Sequence, residues 1–243
     1  VIPDSEYSLN YTSNTNVGTA SVEVVDSGAG NYLLTGTLTK NFDITPGEIP
    51  AEVVNGVTGY SGTYDGNPHD AVVVDSTATS GYMLAYKGSG SATYSSTMPQ
   101  VTSVAQSGDV WVKLSKTNYA DKEIKVTATV SPKALTNDMI NLGTQKTYDG
   151  SAHGPVYSVK DGGTTLSEGT DYNATNGYNP VINVGNTTLG ISGAGNYTGE
   201  AIAVWSLQRA TPQKSDFNIP SLGAGYDYKG NPWSVDAPTL KSP

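Results

Sequence analysis

Residues 123–130 read Glu-Ile-Lys-Val-Thr-Ala-Thr-Val, and this stretch decides the fold class. Apolar and polar side chains alternate without a break, so that Ile124, Val126, Ala128 and Val130 share one face. A period of two puts successive side chains on opposite faces of a strand, and an apolar face behind a polar one is typical of antiparallel sheets with one side in water. The stretch therefore predicts a strand with these four residues turned inward.

The same alternation recurs along the chain and extends the prediction to all of it. Further inward positions are predicted at Ala20, Val22, Val24, Val110, Val112, Leu114, Leu189 and Ile191. Gly-, Asn- and Asp-rich clusters separate the runs, for example at 161–163 and 176–177. Short strands divided by such turns predict an all-β chain of tandem Ig-like β-sandwich modules. The alternative is a β-grasp-like module, which needs a helix across the sheet. The one helical spacing, at residues 98, 101 and 104, is interpreted as a loop or a single turn.

A first motif occurs three times. It reads Thr-Tyr-Asp-Gly-Asn-Pro-His at 63–69, Thr-Tyr-Asp-Gly-Ser-Ala-His at 147–153 and Asp-Tyr-Lys-Gly-Asn-Pro-Trp at 227–233. The tyrosines are 84 and 80 residues apart. Gly supplies a positive φ and Asp can accept hydrogen bonds from backbone N–H groups, so we expect a strand-to-turn junction. A binding loop presented once per module is the alternative interpretation.

A second motif has nearly the same period. It reads Gly-Ala-Gly-Asn-Tyr at 28–32, Ser-Lys-Thr-Asn-Tyr at 115–119 and Gly-Ala-Gly-Asn-Tyr at 193–197, with its tyrosines 87 and 78 residues apart. A third landmark, Asn-Val-Gly, occurs at 16–18 and 183–185 and is degenerate in the middle copy. Motifs that share one period are typical of tandem modules.

The period divides the chain into four parts. We name them half-module 1 (1–45, the second half of a module), module 2 (46–131), module 3 (132–209) and half-module 4 (210–243, the first half of a module). Three explanations of the incomplete ends stay open. The chain was cut without regard to modules, the folding unit is phased differently, or the terminal halves pair with each other within or between chains.

Composition restricts the partners. The formal net charge is -9 with only 13 basic residues, which disfavours nucleic acid and anionic membranes as partners. The chain has no Cys, and no apolar run approaches the roughly 20 residues of a membrane span, so no membrane insertion is expected. No signal peptide opens the chain, which we interpret as a mature or excised fragment.

Candidate catalytic and metal-binding residues are few. His69 and His153 occupy the same position of the first motif, where the third copy has Trp, so a structural role is the simpler interpretation. No Gly-x-Ser-x-Gly elbow, phosphate-binding Gly loop or Asp-x-Asp-x-Asp calcium loop is present. Lys40, on the inward parity of its strand, is the single hint of an isopeptide bond, and a strand-end Lys reaching solvent is the simpler alternative. We predict no enzyme, no cofactor and no metal.

Aromatic side chains are the strongest binding lead. Trp111 has the outward parity of its strand, between Asp109 and Lys113, and could stack on a sugar ring or pack against a neighbouring module. Trp205 lies in an apolar run and is predicted to be core. Trp233 fits either role. Trp111 and Trp233 are thus the two candidate ligand-stacking residues.

One family resemblance covers most of the chain. Residues 164–172 (Thr-Thr-Leu-Ser-Glu-Gly-Thr-Asp-Tyr), 183–185 (Asn-Val-Gly) and 193–199 (Gly-Ala-Gly-Asn-Tyr-Thr-Gly) resemble the bacterial MBG/YDG-type surface repeats. Module 3 matches best, and module 2 departs from the pattern because it lacks Gly-x-Gly before its Asn-Tyr pair. The resemblance implies an extracellular, Gram-positive cell-surface location and a stalk or spacer role in an adhesin-like protein, with neighbouring modules as partners. The alternative function is an array that binds host or dietary glycans or mucin through exposed Tyr and Trp.

Overall fold

Strands dominate the computed structural model of the chain, with 47% of it in strands and 8% in helices. The structure describes residues 2–28, 30–36, 38–220, 225, 230–232, 234 and 236–240. The predicted all-β fold class is confirmed. The chain divides into two compact units, unit 1 (1–131) and unit 2 (132–243). This division falls between the predicted modules 2 and 3, and the boundaries at 45/46 and 209/210 stay predictions.

Unit 1 contains eleven of the strands that the described residues form, and one α-helix. The strands are β1 (Tyr7–Thr12), β2 (Gly18–Asp26), β3 (Leu38–Ile44), β4 (Val57–Gly59), β5 (Ser61–Thr63), β6 (His69–Asp70), β7 (Val72–Val74), β8 (Met83–Gly88), β9 (Gln100–Val101), β10 (Gly108–Ser115) and β11 (Lys122–Ser131). Helix α1 spans Ala51–Asn55, and single 3-10 turns span Asp4–Glu6 and Val104–Gln106. The sheets are β1-β2-β3, β5-β11-β10-β8, β4-β7 and β6-β9.

Module 2 has a core between its larger sheet and its small strand pairs. Alternation along β10 and β11 turns Val112, Leu114 and Ala128 fully inward, where they cluster with Val57 and Val72 of the facing pair. The remaining predicted inward residues of these two strands are buried or half-buried, and the prediction from the 123–130 stretch is confirmed. The alternation thus determines which face of the sheet lines the core of the module.

Helix α1 is a correction to the sequence analysis, which found no helix in this region. It begins after Pro50, whose φ of -60° suits the start of a helix, and it ends at Gly56, whose N–H donates to the Glu52 carbonyl over 3.1 Å. Val53 is the residue that it buries. At five residues the helix does not support the β-grasp alternative, and within the described residues it is the only α-helix. The residue-104 region forms the single turn that the sequence predicted.

Unit 2 repeats the architecture. Its strands are β12 (Lys133–Ala134), β13 (Ile140–Leu142), β14 (Tyr157–Asp161), β15 (Thr164–Thr165), β16 (Tyr172–Asn176), β17 (Gly185–Gly193), β18 (Tyr197–Thr198), β19 (Glu200–Leu207), β20 (Phe217–Asn218) and β21 (Thr239–Leu240), with 3-10 turns at Asn137–Met139 and Lys214–Asp216. The sheets are β16-β17-β19, β13-β14-β15, β12-β18 and β20-β21. The predicted inward residues Leu189 and Ile191 are fully buried.

Three antiparallel meanders are equivalent by sequence: β1-β2-β3, β8-β10-β11 and β16-β17-β19. In module 2, strand β5 from the first half of the module pairs in parallel with β11, the last strand of the meander. In module 3, a single parallel bridge joins Thr147 of the first half to Gln208, the residue after β19. The Asn-Tyr turn also receives a parallel partner, which is Gly47 beside Tyr119 and β12 beside β18. Each complete module is therefore closed by strands of its own first half.

Candidate functional site

The first repeated motif forms the same turn in both complete modules. In module 2 the Asn67 N–H donates to Asp65 Oδ1 over 2.9 Å, and Gly66 has a φ of 81°. In module 3 the Ser151 N–H donates to Asp149 Oδ1, also over 2.9 Å. A positive φ is accessible to Gly without steric cost. The predicted strand-to-turn junction is confirmed.

Both histidines belong to this turn. His69 Nε2 lies 3.0 Å from Asp65 Oδ1, and His153 Nε2 lies 2.8 Å from Asp149 Oδ1. The third copy, at 227–233, has Lys in place of the Asp and Trp in place of the His, so the two positions change together. A pair that is kept or lost as a pair indicates a structural contact, in agreement with the simpler interpretation of the two histidines.

The aspartates of these turns are held as carboxylates. The backbone N–H of Asn67, followed by His69, lowers the pKa of Asp65 from 3.8 to about 2. The N–H of Ser151, followed by His153, lowers the pKa of Asp149 in the same way. Hydrogen bonds to a charged form stabilise that form. At neutral pH these groups accept hydrogen bonds and are poorly suited to donate a proton.

A polar and aromatic cluster covers the outward face of the β8-β10-β11 sheet. We call it the outer-face cluster, and it consists of Lys87, Tyr94, Asp109, Trp111, Lys113, Glu123 and Lys125. Cross-strand register places Trp111 directly between Lys87 on β8 and Lys125 on β11. The outward position predicted for Trp111 is therefore observed, and its side chain is half-buried rather than free.

Tyr94 ties the loop after β8 to this face. Its hydroxyl donates to Glu123 Oε2, and Lys87 Nζ lies 4.8 Å from the centre of its ring. The same Nζ lies 5.6 Å from the ring centre of Trp111. Desolvation, followed by the hydrogen bond to Glu123, raises the pKa of Tyr94 to about 12. The tyrosine therefore stays a neutral donor, and one lysine is shared between two aromatic rings.

The second side of the cluster is an ion-pair ladder. Asp109 accepts hydrogen bonds from Thr127 Oγ1 over 2.7 Å and from Lys125 Nζ over 2.9 Å. These two contacts, in that order, lower the pKa of Asp109. Lys113 Nζ lies 3.3 Å from Asp121 Oδ2. Aromatic rings flanked by charged donors and acceptors are the chemistry that sugar rings and their hydroxyls can use.

The outer-face cluster is not repeated in the equivalent sheets. On the outward face of β16-β17-β19, apolar Ile202 and Val204 are exposed, and no aromatic residue of those strands points there. The outward face of β1-β2-β3 carries Ser, Thr and Asn together with Glu23, Val25 and Asp43, and no aromatic residue. A feature that two of three equivalent sheets lack is not a requirement of the fold.

The other sequence candidates have separate outcomes. Trp205 is buried and its indole N–H donates to the Gly177 carbonyl over 2.8 Å, which confirms it as core. Trp233 lies outside the described residues, so its candidate role stays a prediction. Lys40 is exposed opposite Val22 on the apolar face of β1-β2-β3, and an isopeptide bond would need a buried Lys.

Among the described residues, no three His, Asp or Glu side chains come together as a metal-binding group would require. No helix there has the length and apolar character needed to cross a membrane.

Sequence reasoning found Trp111 but not its surroundings. Tyr94 comes from the loop after β8, and nothing in the local sequence indicates that it folds over β10 and β11. The pairing of Lys87 and Lys125 with Trp111 depends on strand register, which the alternation alone does not fix. Helix α1 could have been found, since Pro50 and Gly56 bracket a short apolar run.

Comparisons with known proteins add the following. No protein-family model matches the chain, and no curated protein sequence matches it. Among solved structures, the chain is similar to three titin Ig domains (9% identity, TM-score 0.28, covering 87% of this chain and 84% of that one). It is also similar to the insect immune protein hemolin (10% identity, TM-score 0.35, covering 79% and 56%). A third is a complex of Dpr2 Ig1-Ig2 with DIP-Theta Ig1-Ig3 (8%, 0.28, 86% and 83%).

The descriptions of the titin structure and of the Dpr2 and DIP-Theta complex name Ig domains. The chain spans about half the length of the hemolin chain.

Proposed function

We propose that this chain is a structural spacer, a segment of an extracellular stalk that holds another domain away from a bacterial, Gram-positive cell surface. The observation that carries the proposal is the repeated closure of modules 2 and 3, each by strands of its own first half. Modules that complete themselves can be strung together in any number. The resemblance to MBG/YDG-type repeats supports the same role, and we propose membership of that group.

The proposed spacer role involves no enzymatic activity. The titratable groups that the motifs repeat, Asp65 with His69 and Asp149 with His153, are engaged with the turns that carry them. An active site would need a titratable group directed at a substrate in a cleft. The repeated groups are used by the fold instead.

Small-angle X-ray scattering tests the spacer. A compact globule of this length would have a radius of gyration of roughly 18 Å. We expect a clearly larger value when the data are extrapolated to zero concentration, with a distance distribution that shows a tail toward long distances. A radius close to the compact value would contradict the spacer proposal.

A second candidate function is glycan or mucin binding at the outer-face cluster. It is favoured by one observation. Trp111 and its charged neighbours lie on the outward face of their sheet, whereas the outward faces of the two equivalent sheets carry no aromatic residue. Ring stacking on Trp, with hydrogen bonds donated by Lys and accepted by Asp, would suit a neutral or acidic sugar.

A glycan and mucin binding screen tests this candidate with two variants. Trp111→Ala removes the aromatic ring at the cluster, and Tyr178→Ala removes an exposed aromatic ring in unit 2 as the matched control. Binding that is lost with Trp111→Ala and kept with Tyr178→Ala would establish a recognition site. No binding across a broad panel would remove this candidate and leave the spacer.

A further inference from the structure

Half-module 1 and module 2 are joined by a side chain as well as by the backbone. The Val17 N–H of half-module 1 donates to Asn118 Oδ1 of module 2 over 3.0 Å. Asn118 Nδ2 donates in turn to Asn16 Oδ1 over 2.9 Å. These partners are separated by 101 and 102 residues in the sequence. One carboxamide therefore bonds two consecutive residues of the other module, through its acceptor and through its donor.

The covalent link at this junction is short. Strand β3 ends at Ile44, and Gly47 already pairs in parallel with Tyr119 of module 2. The Gly47 N–H donates to the Asn118 carbonyl over 2.9 Å. Two residues lie between Ile44 and Gly47, and one of them, Pro46, restricts its own φ and the conformation of the residue before it. The backbone of the turn thus holds the link, while the Asn118 side chain holds a second segment.

The two attachments share one end of the sheet of half-module 1. Register places Gly18 opposite Ile44, so residues 16–17 and the exit of the chain lie at the same end of β1-β2-β3. A single link would allow half-module 1 to rotate about it, whereas a second contact beside the link opposes rotation. Exposed hydrogen bonds are individually weak, but the short link keeps both partners at a high effective concentration, so that few bonds suffice.

Module 2 makes its Asn-Tyr turn differently from module 3. In module 3 the left-handed residue of the motif is Gly195, with a φ of 60°. Module 2 has Thr117 at that position and places a positive φ of 67° on Asn118. Among residues with a Cβ, Asn is one of the few that adopt this conformation routinely. The residue with the left-handed backbone is therefore also the residue whose side chain bonds half-module 1.

The Asn-Val-Gly landmark is not a requirement of the module fold. In module 3 the equivalent of Asn16 is Asn183, which is exposed. In module 2 the landmark is replaced, and the replacing side chains bond within the module. Gln106 Oε1 accepts a hydrogen bond from the Thr102 N–H over 2.7 Å, and Ser107 Oγ accepts one from the Val130 N–H over 2.8 Å. A module that folds without the landmark leaves its Asn and Val free to serve a contact with a neighbour.

We propose that Asn118 is an inter-module clasp, whose side chain holds residues 16–17 and fixes the orientation of half-module 1 on module 2. The surface it fits is the Asn-Val turn of the preceding module, which offers one side-chain acceptor and one backbone donor. The inference rests on the spacer proposal, because a stalk keeps its reach only where its junctions resist bending. It adds to that proposal the residue that sets the stiffness of one junction.

Pulsed electron double resonance on the full chain tests the clasp. The chain has no Cys, so Thr39→Cys and Thr129→Cys, at exposed strand positions of the two modules, can be spin-labelled without background. We expect one narrow distance distribution for this labelled chain. Asn118→Gly removes the carboxamide and keeps a residue suited to the positive φ, and should widen the distribution at least about twofold.

Two further variants separate the carboxamide from the turn. Thr117→Ala changes an exposed neighbour in the same turn and is the matched control, which should keep the narrow distribution. Asn16→Ala removes the acceptor of Asn118 Nδ2 and leaves the bond from Val17, so it should give an intermediate width. Adding Asn16→Ala to Asn118→Gly should widen the distribution no further, because both changes remove one contact. Circular dichroism of each variant checks that the fold is kept.

Three results would overturn the proposal. A wide distribution in the labelled chain without further changes would mean that the junction is not held. An Asn118→Gly distribution as narrow as that of the parent would mean that the short link alone sets the orientation. A Thr117→Ala distribution as wide as that of Asn118→Gly would assign the effect to the backbone of the turn. None of the three affects the scattering test of the spacer, since a flexibly jointed chain of modules also exceeds the compact radius.

Discussion

The β1-β2-β3 sheet of half-module 1 and the β16-β17-β19 sheet of module 3 have the same strand order, the same register between their second and third strands, and opposite exposure. Both turn alternate apolar residues to one face, and Phe42 in the first stands where Trp205 stands in the second. The first is 39% exposed and the second is 3% exposed. Strand alternation therefore specifies which face is to be buried, while burial itself depends on a different stretch of chain.

The largest expected effect comes from truncating Trp205, and it is compared with truncating Phe42 at the equivalent position. Trp205→Ala should destabilise unit 2 by about 3–5 kcal/mol, as is typical of large aromatic deletions in a core. It also leaves the Gly177 carbonyl without its indole donor. Phe42→Ala should cost less than about 1 kcal/mol, because a ring that stays largely exposed gains little from folding.

Urea unfolding monitored by hydrogen-exchange mass spectrometry reports the stability of each unit separately. Peptides from 185–207 report on Trp205→Ala, and peptides from 18–44 report on Phe42→Ala. Equal losses in the two variants would show that the Phe42 face is as well covered as the Trp205 face and would break the comparison.

The next effect concerns one glycine of the second motif. Gly195 has a φ of 60°, and a Cβ there would lie 2.6 Å from the Thr170 carbonyl oxygen. Gly195→Ala should cost about 2 kcal/mol or more, since the left-handed backbone costs 1–2 kcal/mol and a backbone atom must also move. At the equivalent Gly30 a Cβ would meet the Glu6 carboxylate, the end of a flexible side chain. Gly30→Ala should therefore cost less, about 1 kcal/mol.

Thermal unfolding of the two glycine variants checks this order. The Thr117→Gly variant is the control, because module 2 makes its equivalent turn with the positive φ of 67° at Asn118 instead. A larger loss for Gly30→Ala than for Gly195→Ala would contradict the expectation.

A smaller effect is expected at the ion pair that joins β12 to the rest of module 3. Lys133 Nζ contacts both carboxylate oxygens of Asp161 at 2.7 Å, and the Tyr197 hydroxyl donates to the same group over 3.2 Å. Asp161→Asn should destabilise unit 2 by about 1 kcal/mol, less at high salt, because the contact is only partly buried. Asp171→Asn, which removes a loop carboxylate of the same unit, is the control for the salt dependence. A loss that does not vary with salt would exclude the ionic explanation.

The smallest effect concerns pH. Hydrogen bonds lower the pKa of Asp65 from 3.8 to about 2 in the folded chain. The folded state therefore binds fewer protons than the unfolded state between these values, so the contribution is complete above the unfolded pKa and is lost as pH falls toward the folded one. The melting temperature should decrease over this window, and less so for Asp65→Asn. An identical pH profile in the two proteins would show that the turn does not depend on the carboxylate.

Local periodicity predicted the strands well, and long-range contacts limited the rest. The alternation at 123–130 placed Ala128 and Val130 inward, and the motif Asp-Gly pair placed the turn at Asp65 and Gly66, since both depend on neighbours in sequence. The same reasoning does not separate the covered Trp205 from the exposed Phe42, because alternation does not show which segment lies on a face. The approach of Tyr94 to Glu123, 29 residues away, was missed for the same reason.

The parallel pairing of strands in modules 2 and 3 has a mechanical consequence. In module 3, β12 near the start of the module runs parallel to β18, and a parallel bridge joins Thr147 to Gln208 at the end of the module. Pulling the two ends of such a module apart slides these segments along each other. The hydrogen bonds between them are then loaded together in shear rather than opened one after another. A chain of such modules would yield to force by the loss of whole modules, at rates set by their unfolding barriers.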